Sequence, residues 1–129
     1  RMIRLVGHCD DMPAAYAAAD IVLSPSTRPE AFGRVAAEAG AMGRVVIAAD
    51  HGGARETVVD GETGFLAAPG SAEALANAVV RAIELGPQGR AAMGAKAAAR
   101  IAAKFSTAAM TAATIAAYKS LLDARTGQA

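Results

Sequence analysis

Tryptophan is absent from this 129-residue chain, which carries only two tyrosines and three phenylalanines. So few aromatics leave no stacking surface for nucleic-acid bases or sugar rings. The single cysteine, Cys9, excludes an internal disulfide and suits a reducing compartment. Two histidines, His8 and His51, are too few for a metal centre, and no Cys/His spacing suits zinc. Neither charge sign is in excess: thirteen Lys and Arg against twelve Asp and Glu leave a formal +1, so nothing marks a nucleic-acid partner. No apolar run approaches a membrane span. No secretory signal pattern appears, and the start at Arg1 reads as a cut rather than a natural beginning. What the chain does have is alanine, within a hydrophobic fraction of 53%, and a length that holds one domain with a modest core.

The stretch from Ser24 to Glu38 organises the rest. The apolar run Ile21-Val22-Leu23 stops at Ser24-Pro25-Ser26, and Pro29 breaks the backbone again. Beyond Phe32-Gly33, residues Val35, Ala36, Ala39 and Met42 recur at the spacing of one helical face. The reading is strand, tight loop, helix. In an open α/β sheet such a loop lies at the carboxyl ends of the strands, where ligands bind. The free N–H groups of the helix start favour an anion. Two carboxylates, Glu30 and Glu38, bracket the loop, and eight residues of helix rise roughly 12 Å. Carboxylates accept hydrogen bonds from hydroxyls. The layout suits a ligand with hydroxyls at both ends and a phosphate between, as in a nucleotide sugar.

In chain order, Met2 to Val6 is expected as a short buried strand ending at Gly7. Asp10 or Asp11 caps a helix from Met12 to Ala19, with Pro13 in its first turn and Tyr16 among the alanines of its apolar face. Ile21 to Ser24 is the second strand, Phe32 to Met42 the next helix, and Gly43 its C′ residue. Val45 to Ala48 is a third strand, apolar throughout as in a buried parallel sheet. Ala54 to Val59 reads as a helical turn, and Phe65 to Ala67 as a fourth strand. Ser71 caps a helix reaching Leu85, with Leu75, Val79 and Ile83 on its buried face. A helix from Gln88 to Lys104 buries Met93, Ala97 and Ile101. A last helix begins at Ser106 or Thr107 and places Ile115, Tyr118 and Leu122 on one face; the tail after Arg125 is expected to fray.

Pro25-Ser26, Glu30-Ala31-Phe32-Gly33, Glu38-Ala39, Gly52-Gly53, Glu56 and Asp60-Gly61-Glu62-Thr63-Gly64-Phe65-Leu66 together resemble the Glu-x7-Glu signature region of retaining GT-B glycosyltransferases, family 4. The similarity runs from about Ile3 to Tyr118. A lone Glu-x7-Glu pair carries little weight, since glutamates eight apart are common on helices; the agreement of several motif spacings carries it. The resemblance implies part of a Rossmann-like, doubly wound α/β fold: a GT-B C-terminal domain of about four parallel strands, flanking helices and a helical C-terminal segment. Residues 1–129 would form one partial donor-binding domain, with 71–125 its helical part.

By the same resemblance, Glu38 binds the ribose hydroxyls of the donor and Glu30 sits beside the transferred sugar, positioning it and steadying charge as the glycosidic bond breaks. Glu30 is the catalytic candidate. The backbone N–H groups of Phe32, Gly33, Arg34 and Val35 meet sugar and diphosphate. Arg34 either adds charge to the phosphate or is a surface arginine; the family often has an apolar residue there. Gly7, His8, Cys9 and Asp11 resemble the loop that receives the base, where Asp11 would read guanine; on its own residues Asp11 is a helix cap. Arg55 stands where the family commonly has proline. No cofactor and no metal are implied, the UDP- or GDP-sugar being substrate.

The resemblance also implies a missing amino-terminal acceptor domain and a missing Arg/Lys pair that neutralises the diphosphate, so the 129-residue chain alone is expected to be inactive. The leading function is a retaining transferase acting by front-face substitution in bacterial glycan or glycolipid synthesis; the alternatives are a sugar-nucleotide epimerase or phosphorylase relative and a non-catalytic nucleotide-binding module. The expected setting is cytoplasmic, with peripheral membrane contact of the intact enzyme at the inner face. The two strands that the family places between Met2–Val6 and Ile21–Ser24 are absent, so self-association through open sheet edges is expected.

Overall fold

The computed structural model describes residues 2–126. Three parallel strands, β1 (Ile21–Ser24), β2 (Val45–Ala49) and β3 (Gly64–Ala67), form one sheet in the order β1-β2-β3. Leu23 pairs with Ile47, and Ile47 with Phe65, so the strand ends stay level. The helices are α1 (Met12–Ala18), α2 (Arg34–Ala41), α3 (Ala54–Thr57), α4 (Ala72–Glu84), α5 (Gly86–Phe105) and α6 (Thr107–Thr126).

Every residue of β2 is buried, as its unbroken apolar run requires. Alternate side chains feed opposite faces. Val45 and Ile47 join Phe65, Ala67, Ala78, Ala82 and Met93 under α4 and α5. Val46 and Ala48 join Tyr16, Ala36, Ala39 and Val58 under α1 and α2. The helix faces are largely alanine, which lets the helices lie close to the sheet. Local signals set the helix ends. Asp11 accepts the Ala14 N–H at 3.0 Å and Ser71 accepts the Ala74 N–H at 3.1 Å. Gly43, at φ +67°, closes α2 while Gly43 N–H reaches Gly40 O and Arg44 N–H reaches Ala39 O, a Schellman arrangement.

The sheet has three strands rather than four. Met2–Val6 is not a strand, and Met2, Ile3, Leu5 and Val6 are all exposed. A strand needs a partner for its N–H and C=O groups, and this segment has none in the sheet, whose order ends at β1. Helix α2 begins at Arg34 instead of Phe32, because Gly33 is left-handed at φ +74°. Val35 and Met42 border its buried face of Ala36, Ala37, Ala39 and Gly40. On α4 the buried positions are Ala78 and Ala82, with Leu75 and Val79 packed beside them; Ile83 is 58% exposed, rotated past the edge of that face. Met93, Ala97 and Ile101 of α5 are buried as expected. Ile115, Tyr118 and Leu122 of α6 are exposed. The expected frayed tail lies, from residue 127 on, outside the described residues.

Candidate functional site

The carboxyl ends of β1 and β2 open into two loops that hold one another. The first, residues 25–33, carries Glu30 and ends at the uncapped start of α2. The second, residues 50–53, follows β2. Gly53 N–H donates to Glu30 O at 2.8 Å. A Cβ on Gly52 would lie 2.4 Å from Glu30 O, and one on Gly53 would lie 2.3 Å from the carbonyl carbon of Phe32. The Gly-Gly pair is therefore a bearing surface: only a backbone without side chains lets the two loops come this close. Gly52 also takes φ +54°. His51 adds a tie, its Nε2 lying 2.8 Å from Ser26 O. A carbonyl oxygen only accepts, so Nε2 carries the proton in that contact.

Glu30 lies in the loop, where its Oε1 accepts from the Ser26 hydroxyl. Phe32 rests edge-on against Phe105 of α5, ring centroids 5.6 Å apart, which anchors the residue before Gly33. Arg34, Val35 and Ala36 occupy the first turn of α2. Gly33 offers no side chain to cap it, and that turn contains no acid. Three outward N–H groups and the positive end of the helix dipole are thus unopposed.

Glu38 stands one turn further along α2. Its Oε2 accepts from the Tyr16 hydroxyl at 3.0 Å, and its Oε1 accepts from Arg34 Nε at 3.2 Å and from a terminal Arg34 nitrogen at 2.9 Å. Arg34 is largely exposed and Glu38 about a third exposed. Burial pushes the Tyr16 hydroxyl above its ordinary pKa of 10.0, and the Glu38 carboxylate beside it adds to the shift. Tyr16 is neutral at physiological pH and is the donor in that bond.

The loop and α2 thus bring Glu30, Phe32, Gly33, Arg34, Val35 and Glu38 together. The amino-terminal candidates bond among themselves and to the start of α1. Gly7, His8 and Cys9 lie in the exposed segment before α1; His8 Nε2 is 3.0 Å from Asp10, and the Cys9 thiol donates to Asp11 O at 3.3 Å. Asp11 has its Oδ1 engaged as the cap of α1.

Glu56 gives its backbone carbonyl to Arg100 of α5 at 2.6 Å, and Arg55 pairs with Asp50 at 2.8 Å. The Asp60–Leu66 motif is a turn that starts β3: Asp60 accepts the Leu66 N–H and Thr63 accepts the Val59 N–H, each at 2.9 Å. Among the described residues no three His, Cys, Asp or Glu side chains group to hold a metal, and no helix is long and apolar enough to cross a membrane. Sequence reasoning missed the ties from Tyr16, His51, Phe105 and Arg100. Only Tyr16 carried a signal: a hydroxyl on an otherwise apolar face needs a partner when buried.

Residues 1–100 match the family model described as "Glycosyl transferases group 1". Among curated proteins, a D-inositol 3-phosphate glycosyltransferase of Mycobacterium bovis is 41% identical over 111 residues, 84% of this chain and 22% of that protein. Among solved structures, a glycosyltransferase from Rickettsia africae superposes with TM-score 0.85 at 34% identity, over 92% of this chain and 32% of that one. Anabaena HepE, crystallised with UDP and glucose, gives TM-score 0.79 at 38% identity, over 89% of this chain and 32% of that one. The chain spans about a fifth of the length of the curated relatives it matches.

Proposed function

The chain belongs to the glycosyl transferases group 1 family, and on that footing we propose that it is the donor-binding part of a retaining glycosyltransferase that uses a nucleoside-diphosphate sugar. The observation that carries this reading is the pair Glu30 and Glu38 flanking the uncapped amino end of α2 at the carboxyl ends of a parallel sheet. The diphosphate meets the N–H groups of Arg34, Val35 and Ala36. Glu38 accepts from the ribose hydroxyls, and Glu30 faces the transferred sugar. As the bond from the anomeric carbon to the diphosphate oxygen breaks, negative charge collects on the leaving group, where preorganised N–H donors are worth most. The acceptor oxygen enters on the same face, and its proton passes to the departing phosphate oxygen. No metal is called for in this scheme.

UDP is favoured over GDP as the carrier. HepE was crystallised with UDP, and Asp11, the residue suited to guanine, already spends Oδ1 on the α1 cap. The acceptor, a glycan or lipid, is met by parts of the protein beyond this chain. The lone exposed thiol of Cys9 suits a cytoplasmic setting. The test is Glu38→Ala in the full-length protein, titrated calorimetrically with UDP and GDP. Loss of charge-assisted hydrogen bonds should cost about 1.5–3 kcal/mol of binding. Unchanged affinity removes the ribose role. Product analysis with UDP-sugars separates transfer from epimerisation or phosphorolysis, and tight nucleotide binding with no turnover leaves a binding module.

A further inference from the structure

We propose that Tyr16 is a positioning residue for the nucleotide: its buried hydroxyl holds Glu38 in the orientation that receives the two ribose hydroxyls. This rests on the reading of Glu38 given above. Tyr16 is the one buried residue of α1, and its ring packs with Ala36, Ala39 and Val46. A phenylalanine ring would fill that space equally well. The hydroxyl adds nothing to the packing and would be costly to bury alone, yet it reaches across 22 residues of sequence to Glu38 Oε2 at 3.0 Å.

The other partner of Glu38 is of a different kind. Arg34 sends two donors to Oε1 from a side chain that is largely exposed, so water or a ligand hydroxyl can replace it. An ionised carboxylate offers about four lone-pair sites. Tyr16 takes one and Arg34 two, leaving one on Oε2. A ribose that presents two hydroxyls therefore displaces Arg34 from Oε1 while Tyr16 stays. Tyr16 is the fixed support and Arg34 the exchangeable one. The same side chain seats α1, whose first turn Asp11 caps, so the loop before α1 and the ribose carboxylate share one anchor.

The experiment measures, on the full-length protein, the affinity for UDP and for 2′,3′-dideoxy-UDP, in wild type, Tyr16→Phe, Glu38→Ala and the double variant. The ratio of the two affinities reports the hydroxyl contacts alone. Partial unfolding scales both affinities together and leaves the ratio unchanged. Tyr16→Phe should cut the wild-type ratio by about three- to tenfold, and adding it to Glu38→Ala should change nothing further, because it acts through that carboxylate. Equal losses for the two ligands, or a further loss in the double variant, would reduce Tyr16 to packing and overturn the proposal. A ratio that collapses in Glu38→Ala but holds in Tyr16→Phe overturns it too, leaving Glu38 in place. A ratio untouched by Glu38→Ala strikes instead at the reading beneath it.

Discussion

Replacing Gly53 by alanine attacks the site from behind. The added Cβ would lie 2.3 Å from the Phe32 carbonyl carbon and 2.4 Å from its Cα and oxygen. Gly53 has φ −64° and ψ −17°, which alanine adopts freely, so the effect is one of space and not of backbone strain at residue 53. Nonbonded carbons rest about 3.5–4.0 Å apart, so the Phe32 backbone has to retreat by roughly 1 Å. No rotamer can relieve a clash with backbone. Overpacking of this kind costs about 1–3 kcal/mol, and the Gly53 N–H bond to Glu30 O, 2.8 Å long, is stretched as well. The loop that retreats carries Glu30 and leads into α2, and a misplacement of about 1 Å costs on the order of 10²-fold in rate. Gly70→Ala is the control. Gly70 is left-handed at φ +74° with nothing within 4 Å of the added carbon, so the variant loses roughly 1 kcal/mol of stability and leaves the loops in place. Thermal melting and calorimetric titration with UDP read both variants in the full-length protein. Gly53→Ala should lose at least about tenfold in UDP affinity, by the same displacement, and Gly70→Ala should stay within about twofold. A Gly53→Ala protein with wild-type melting and wild-type affinity would refute the bearing-surface argument.

Glu30→Gln should lower turnover more than donor affinity, because its proposed place is beside the breaking bond; equal losses in steady-state and binding measurements would make it a binding group only. Arg34→Leu removes an exposed i,i+4 pair with Glu38 and should shift stability by no more than about 0.5 kcal/mol in denaturant melts. Ile47→Ala empties a fully buried position between β1 and β3 and should cost about 2–5 kcal/mol in the same melts. The raised pKa of Tyr16 means that the folded state holds this proton more tightly than the unfolded chain. Its contribution is complete below the unfolded value of about 10 and is lost as pH rises through the folded value. Alkaline melting should therefore hurt wild type more than Tyr16→Phe above about pH 10; parallel curves would contradict the shift.

The sequence by itself determined what depends on near neighbours. Asp11, Ser71 and Gly43 set helix ends because caps act within a few residues. The apolar run of β2 declared a doubly covered strand because burial on both faces leaves no polar position. Motif spacing located the Glu30–Glu38 loop, and with it the family. Tertiary structure decided what depends on residues far apart in the chain. Met2–Val6 has the composition of a strand but stays unpaired, since strand formation needs a partner that local composition cannot supply. Ile83 has the spacing of a core residue on α4, but the sheet meets that helix along Ala78 and Ala82. The Gly-Gly pair is one motif among several in the sequence, and its closeness to Glu30 and Phe32 exists only in the folded chain. Tyr16 reads as a core aromatic until α1 and α2 pack and its hydroxyl finds Glu38.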